Sequence, residues 1–250
     1  MVNVMAVVKS TKQPRGGYIN WKTMDLEYID DGITLNEEDI SPITMGLVVD
    51  YLTRWRVTGD IEDAFHVSIS GSRRFGHEDD GRRLLSGIRD MSDASIVNAC
   101  RLVAYDTCAR AAVMPPDEAL TVTPSKGTMD NIRTMVDRGL RFFDRFGPVV
   151  SSGFNLLGGY SGKIDRGDFD YATMDTLWDF KVSKRDPDKD DTLQLLIYYL
   201  MGRRSIHPFF GTIHRIGIFN PRLNNVYTLD IGKIPVSVIR TIEKDVIGYD

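Results

Sequence analysis

The sequence has few cysteines and no long hydrophobic run. Two cysteines in 250 residues cannot form a disulfide framework, which is typical of a protein from a reducing compartment. Cys100 and Cys108 lie in a region that predicts a helix, about 12 Å apart along its axis, so we expect both to pack in the core without bonding to each other. No run of about 18 apolar residues occurs, which argues against a transmembrane helix.

Signals for export and for common cofactors are also missing. The N-terminal apolar stretch has no basic segment before it and makes a poor signal peptide, so we expect a cytoplasmic protein without a membrane partner. The four histidines and two cysteines lack zinc spacing. No phosphate-binding loop or helicase motif occurs, so ATP-driven unwinding would require a separate partner. The net charge of −4 argues against a protein dedicated to coating DNA.

The length suits one large domain or two small ones with a substantial core. A double proline marks residues 114–127 as the best internal linker. We therefore predict a mostly helical N-terminal region over residues 1–120, with a short β-hairpin around Asp31-Gly32. Residues 121–250 predict the order helix, three strands, helix, strand. In the N-terminal region, Ser41-Pro42 is a strong helix start, an N-cap followed by proline at the first position.

The most unusual stretch is residues 160–201. Two segments of alternating polarity, residues 162–172 and 176–184, are joined by a polar turn, which predicts a β-hairpin. An apolar run with helical spacing follows and predicts a helix over residues 190–201. The hairpin carries carboxylates and a lysine where an ordinary half-buried sheet would carry valine or threonine.

The hairpin predicts a convergence of charge. If its turn is centred on residues 174 and 175, the numbers of paired residues sum to 349, so Asp170 lies opposite Asp179, and Asp168 lies opposite Lys181. Directly opposite Cβ atoms are about 4.5–5.5 Å apart, and like charges there are destabilising. A divalent cation, Mg²⁺ or Mn²⁺, is the simplest compensation, because hard cations bind carboxylate oxygens. Such an ion polarises a phosphoryl oxygen, and the lysine could orient or deprotonate water or hold developing charge.

Three segments in this order resemble the PD-(D/E)XK nuclease superfamily, and most closely its RecB-type branch. They are Gly162-Lys163-Ile164-Asp165, then Asp179-Phe180-Lys181, then Gln194-Leu195-Leu196-Ile197-Tyr198. Asp-x-Lys alone is a weak motif, whereas the three parts in order on a hairpin and a helix are a stronger one. The resemblance covers roughly residues 131–220. The iron–sulfur members of this branch need four cysteines, so that cluster is excluded here.

The resemblance implies an α/β (α+β) fold with a restriction-endonuclease-like core, in which helices flank a mixed central sheet. It also implies a Mg²⁺- or Mn²⁺-dependent deoxyribonuclease that hydrolyses phosphodiester bonds. We expect Asp170 and Asp179 to hold the metal with help from Asp168, Lys181 to position or activate water, and Gln194 to support the site.

The first metal ligand has two candidates. The family pattern and its spacing favour Asp165, whereas the hairpin pairing favours Asp170. In a regular strand Asp165 points away from Asp168 and Asp170, although a β-bulge near Gly167 could reverse this. We favour Asp170.

The expected partner is nucleic acid, with DNA favoured over RNA, and a protein partner is left open, as is the oligomeric state. We expect Lys184, Arg185 and Tyr198 to contact the substrate. Other arginines are candidates for phosphate contacts, although most arginines lie on solvated faces. These are Arg54, Arg56, Arg73, Arg74, Arg82, Arg83, Arg203 and Arg204.

Two alternatives to the nuclease remain open at this point. One is a catalytically silent, nuclease-like module that binds nucleic acid or a protein partner. The other is a structural protein whose charged hairpin protects a sheet edge from aggregation. The second loses ground because apolar neighbours make the strand around Asp179 look buried, and buried charges need partners.

Overall fold

A computed structural model describes residues 2–29, 31–153 and 155–249. The chain forms two compact units, one of Met1–Asp30 with Asp144–Asp250 and the other of Asp31–Phe143. The sequence suggested a division at residue 120, whereas here the first 30 residues join the C-terminal part. The reason is a strand near residue 25 that pairs with one near residue 228, a contact no local pattern announces.

The fold is α/β, with a mixed six-stranded open sheet and flanking helices. The strands are β1 (Asp25–Tyr28), β2 (Ser151–Ser152), β3 (Tyr171–Ala172), β4 (Thr176–Phe180), β5 (Arg215–Asn220) and β6 (Asn225–Asp230). The α-helices are α1 (Val4–Ser10), α2 (Pro42–Thr58), α3 (Ile61–Ala64), α4 (His66–Arg74), α5 (Glu78–Ser86), α6 (Asp93–Leu102), α7 (Asp106–Ala111), α8 (Asp117–Thr121), α9 (Lys126–Phe146), α10 (Lys189–Arg204) and α11 (Val236–Thr241). A π-helical segment, Ile242–Ile247, follows α11.

The sheet belongs to the unit that contains both chain ends. Its strand order is β1-β6-β5-β4-β3-β2, with β4 and β5 parallel and the other neighbours antiparallel. Parallel neighbours need a crossover connection, and α10 provides it. Every residue of β4 is buried. Any charged side chain on this strand must therefore find its partners inside the protein.

Helix α10 is buried along most of its length. All residues from Thr192 to Gly202 are buried, which is expected of a helix that is apolar nearly all round. It begins with a capping box, in which the Asp188 side chain accepts from the main-chain N–H of Asp191 and the Asp191 side chain accepts from that of Asp188. This box fixes the first turn of α10 beside the end of β4.

The other unit is helical, as predicted for this part of the chain. The Ser41 hydroxyl accepts from the Thr44 N–H at 3.0 Å, and Pro42 opens α2, which confirms the predicted helix start. Both cysteines are buried and free of disulfides. The Asp106 carboxylate is buried in α7 and accepts from the Tyr51 hydroxyl at 2.6 Å, so this unit too keeps its buried charge hydrogen-bonded.

Several sequence expectations differ from the fold. The described residues do not form the predicted hairpin around Asp31-Gly32, because β1 ends at Tyr28 and pairs with β6. Asp30, which belongs to the predicted hairpin, lies outside the described residues. The predicted strand over residues 149–160 is reduced to the two residues of β2. In the part of the chain that the structure describes, no helix has both the length and the apolar character needed to cross a bilayer.

Candidate active site

The predicted hairpin register is confirmed. Tyr171 pairs with Trp178 and Ala172 with Leu177, so the paired numbers sum to 349. The regular pairing stops at Tyr171, one residue after Asp170. There the Asp170 side chain takes over from the main chain, since its Oδ2 accepts the Phe180 N–H at 2.8 Å. The hairpin thus carries the Asp170 carboxylate to the end of β4, next to Asp179.

A buried ion pair lies at this end of β4. The Asp179 side chain is 3% exposed, and its Oδ2 is 3.0 Å from the Lys181 Nζ. The Lys181 main-chain N–H donates to the Phe219 carbonyl of β5, which holds the lysine backbone against the sheet. The position of the lysine is therefore set by the sheet, and its ammonium faces the strand's own carboxylate.

Helix α10 adds two polar side chains to this pair. The Lys181 Nζ donates to the Gln194 Oε1 at 3.0 Å, and the Gln194 Nε2 donates to the Tyr198 hydroxyl at 3.0 Å. Gln194 and Tyr198 are four residues apart and share one face of the helix. The three predicted residues therefore form one hydrogen-bonded row from β4 into the core.

Asp191 is a further member that the sequence analysis missed. Its Oδ1 lies 3.8 Å from the Lys181 Nζ, while its Oδ2 accepts the Asp188 N–H at 2.9 Å and a hydrogen bond from Arg185 Nη1 at 3.1 Å. The spacing of Asp188 and Asp191 is a capping-box signal that sequence reading could have found. The contact with Lys181 is tertiary and carries no such signal.

The electrostatics of the row follow from its burial and its carboxylates. Burial disfavours the charge of Lys181, but Asp179, Asp191 and Asp170 outweigh it and raise the pKa of the lysine. Burial also raises the pKa of Tyr198; the hydrogen bond from Gln194 opposes this effect, and the nearby charges of Asp170 and Asp179 add to it. Lys181 is therefore a cation here, and Tyr198 is a neutral phenol.

The other two candidate metal ligands occupy different surroundings. Asp168 is exposed and forms an isolated antiparallel bridge with Asn155, so the cross-strand pairing with Lys181 expected from the hairpin is not formed. Asp165 is exposed, and its main-chain N–H donates to the carbonyl of Val2. The structure thus brings Asp170 to the end of β4.

The predicted substrate-binding residues divide into two kinds. Lys184 is exposed, and Arg185 is exposed but held by Asp188 and Asp191. Tyr198 is only 7% exposed and lies behind Gln194, so it supports that amide and does not present its ring to a substrate.

Most arginines proposed for phosphate contacts are engaged within the protein. Several are paired with carboxylates, and two donate to main-chain carbonyls, so they belong to compensated surfaces. The pairs are Arg54 with Asp50, Arg73 with Glu78, Arg82 with Glu62, Arg83 with Asp80 and Arg204 with Glu243; the donors are Arg74 to Ala109 and Arg203 to Phe210.

The acidic residues are compensated in part by the protein itself. Asp179 faces an ammonium, and Asp170 accepts a main-chain N–H. Among residues 2–29, 31–153 and 155–249, no group of three or more His, Cys, Asp or Glu side chains forms a ready metal cage. The two carboxylates are still the hard oxygen donors that Mg²⁺ prefers, and Mg²⁺ is commonly held by one or two carboxylates plus water and substrate phosphate.

Comparison with known proteins gives no further identification. No family model matches this chain, and neither the curated proteins nor the solved structures contain a significant match. The geometry at the end of β4 must therefore carry the functional argument.

Proposed function

We propose that this protein is a metal-dependent nuclease that hydrolyses phosphodiester bonds, with DNA as the favoured substrate. The observation that carries the proposal is the row at the end of β4. Two carboxylates, Asp170 and Asp179, adjoin a lysine whose side chain is 26% exposed and whose ammonium is oriented by Gln194. Carboxylates with a charged donor beside them suit an attack by water on a phosphate, where negative charge develops on oxygen.

Each residue has a distinct role in this proposal. Asp170 and Asp179 would hold a Mg²⁺ or Mn²⁺ ion, which supplies Lewis-acid polarisation of the phosphate when bound. Lys181 donates hydrogen bonds to the attacking water or to the phosphoryl oxygens. Gln194 fixes the lysine ammonium, and Tyr198 fixes the orientation of the Gln194 amide. Asp165 and Asp168 remain candidates for an outer contact with the ion or the substrate.

The order of elements supports the same proposal. Within the sheet unit, strands β2, β3 and β4, helix α10 and strand β5 follow one another in the order expected of a restriction-endonuclease-like core, while the preceding helix α9 lies almost entirely in the helical unit. Asp179 and Lys181 of the second motif part lie at the end of β4 and Gln194 of the third part lies on α10 in contact with Lys181, whereas the first part, residues 162–165, lies before β3. We propose this core as the fold family of the sheet unit.

The experiment is cleavage of a labelled DNA duplex with Mg²⁺, Mn²⁺ or EDTA. We expect cutting by the natural protein only with a divalent metal, and loss of at least about 100-fold in rate for Lys181→Ala, because a charged donor in the transition state is removed. Lys244→Ala, which removes an exposed lysine elsewhere in the same unit, is the matched control. Metal-dependent cutting that persists at the natural rate in Lys181→Ala contradicts the proposal.

A second candidate function is a nuclease-like module that binds nucleic acid without cutting it. The observation that favours it is the internal compensation of the acids, with Lys181 against Asp179 and the Phe180 N–H against Asp170. The same assay separates the two functions. DNA binding by the natural protein without cleavage under either metal supports the silent module and rejects the nuclease.

A further inference from the structure

The first 24 residues contain no acidic side chain. They carry four cations, Lys9, Lys12, Arg15 and Lys22, in a chain whose net charge is −4. All four are exposed. We call residues 9–22 the basic arm. A local excess of positive charge in an otherwise acidic protein is a signal for a polyanionic partner.

The charges of the basic arm are not neutralised by the protein. Within the described part of the chain, none of its four cations forms an ion pair, and Lys22 lies over the ring of Trp21 at 5.7 Å from its centroid. This differs from the arginines of the helical unit, such as Arg73 and Arg82, which face glutamates. The arm is therefore a surface on which positive charge remains available.

The arm is also fixed in place, beside the candidate active site. The Gln13 Nε2 donates to the Asp190 Oδ1 at 2.7 Å, and the Thr192 hydroxyl donates to the Ile19 carbonyl at 2.9 Å. Both partners flank Asp191 in the first turn of α10. Gly17 passes so close to Lys189 that a Cβ there would lie 2.7 Å from the lysine Cβ, and its φ of +88° suits glycine.

The far end of the arm is connected through Tyr227 of β6 to the loop that follows β4. The rings of Trp21 and Tyr227 meet edge to face with centroids 5.9 Å apart, and the Tyr227 hydroxyl donates to the Asp186 Oδ1 at 2.7 Å. Asp186 belongs to the same loop as Lys184 and Arg185, the residues predicted to contact substrate. The arm therefore runs from the start of α10 to Tyr227, whose hydroxyl bonds to this loop.

From these observations we infer that the basic arm binds the phosphate backbone of a nucleic acid and guides it to the end of β4. Exposed lysines and arginines neutralise phosphates regardless of base sequence. A nucleic acid fits better than an anionic membrane, because Ile19 is buried and Trp21 packs against Tyr227, so these two apolar side chains of the arm are engaged within the protein. The inference deepens the proposed function, since it names the surface that holds the substrate.

The test measures binding without cleavage. Fluorescence anisotropy of a labelled duplex in EDTA, over a series of salt concentrations, compares the natural protein with the triple variant Lys12→Gln/Arg15→Gln/Lys22→Gln. Lys9 is left in place because a cation in the last turn of α1 stabilises that helix. The matched control is Arg89→Gln/Arg240→Gln/Lys244→Gln, which removes the same charge from exposed positions elsewhere.

We expect the arm variant to bind at least about 10-fold more weakly at low salt, and the slope of log K against log salt to fall by about 2–3, close to 0.9 for each lost phosphate contact. In the control variant, the slope of log K against log salt should fall by no more than half as much as in the arm variant. Circular dichroism of both variants shows that the fold is kept. The inference is overturned if the arm variant binds DNA with the same affinity as the natural protein, or with the same affinity as the control variant.

Two further results separate this inference from the nuclease proposal. If the natural protein binds DNA through the arm but never cuts it, the inference about the arm stands and the nuclease proposal is rejected. If the arm variant cuts DNA as well as the natural protein, the inference about the arm is rejected and the nuclease proposal stands. Binding to phosphatidylserine vesicles that depends on the arm, without DNA binding, identifies a membrane as the partner and also overturns the inference.

Discussion

At the residue scale, the candidate site depends on a few side chains that each contact more than one neighbour. Lys181 contacts Asp179 and Gln194, and Gln194 in turn contacts Tyr198. Asp191 contacts both Lys181 and Arg185, so it joins the lysine of the site to the loop that follows β4. Asp191 is thereby placed to set where the ammonium lies, and we expect it to act as a positioning residue in the proposed reaction.

Asp191→Asn should therefore lower kcat by about 10- to 100-fold, the range for residues that orient a site's ligating groups, with little change in KM. The asparagine oxygen can still accept the Asp188 N–H, so α10 should keep its cap and the melting temperature should change little. Cleavage kinetics with a labelled duplex measure this. Asp245→Asn is the control, because it removes the same charge from an exposed position in the same unit. Equal losses in both variants would show a general charge effect and no positioning role.

At the element scale, the central strands β4 and β5 pack together because β5 has a glycine where β4 has a tryptophan. Gly217 of β5 pairs with Trp178 of β4, and the indole ring covers it. A Cβ on this glycine would lie 2.2 Å from the ring. The fully buried Trp178 also donates its Nε1–H to the Thr173 hydroxyl at 3.0 Å, which ties β4 to the turn before it. The ring therefore has no free space into which to move.

Gly217→Ala should destabilise the protein by about 1–3 kcal/mol, the usual effect of overpacking a core. Gly211→Ala is the control in the same unit, since nothing lies within 4 Å of its Cβ position, and it should change stability by less than about 0.5 kcal/mol. Urea denaturation followed by circular dichroism gives both values. Indistinguishable midpoints for the two variants would contradict the packing argument.

The elements also show what the sequence could and could not predict. The β3–β4 register was predictable because a short polar turn determines which residues pair. The strand lengths were not. β3 covers only Tyr171–Ala172, because tertiary contacts hold the chain before it, as when the Arg166 carbonyl accepts the Val4 N–H. Asp179 and Lys181 are two residues apart and were expected to share a face of the strand. Their ion pair was still missed, because the compensation of the Asp179 charge was assigned to a metal ion.

At the scale of the whole molecule, the two compact units have different chemistry. The unit with the chain ends has a sheet and a polar row at one end of β4, whereas the Asp31–Phe143 unit is helical and keeps carboxylates bound to buried arginine. Such a chain need not unfold in one step, so a single melting curve does not describe it. The three tryptophans offer separate probes, because Trp55 lies in the helical unit and Trp21 and Trp178 lie in the other.

The helical unit should be the acid-sensitive one, because of Asp31. Its carboxylate receives Arg138 Nε and Nη2, each at 2.7 Å, and Arg141 Nη2 at 3.2 Å. The hydrogen bonds from Arg138 hold the pKa of Asp31 below its usual value against the effect of burial. A lowered pKa in the folded state means that the carboxylate's stabilisation is complete above about pH 4, the unfolded value, and is lost as the pH falls below it.

Asp31→Asn should destabilise the helical unit by about 1.5–3 kcal/mol at neutral pH, since it removes the charge of a carboxylate that accepts two hydrogen bonds from the buried Arg138. As the pH falls below 4, the difference between the variant and the natural protein should shrink, because the natural carboxylate becomes protonated. Fluorine NMR of fluorotryptophan-labelled protein in urea measures this at Trp55 separately from Trp21 and Trp178. Asp137→Asn, an exposed position on α9 next to Arg138, should leave the urea unfolding curve at Trp55 unchanged. A loss of stability in Asp31→Asn that stays constant between neutral and acid pH would show that this ion pair does not set the acid response.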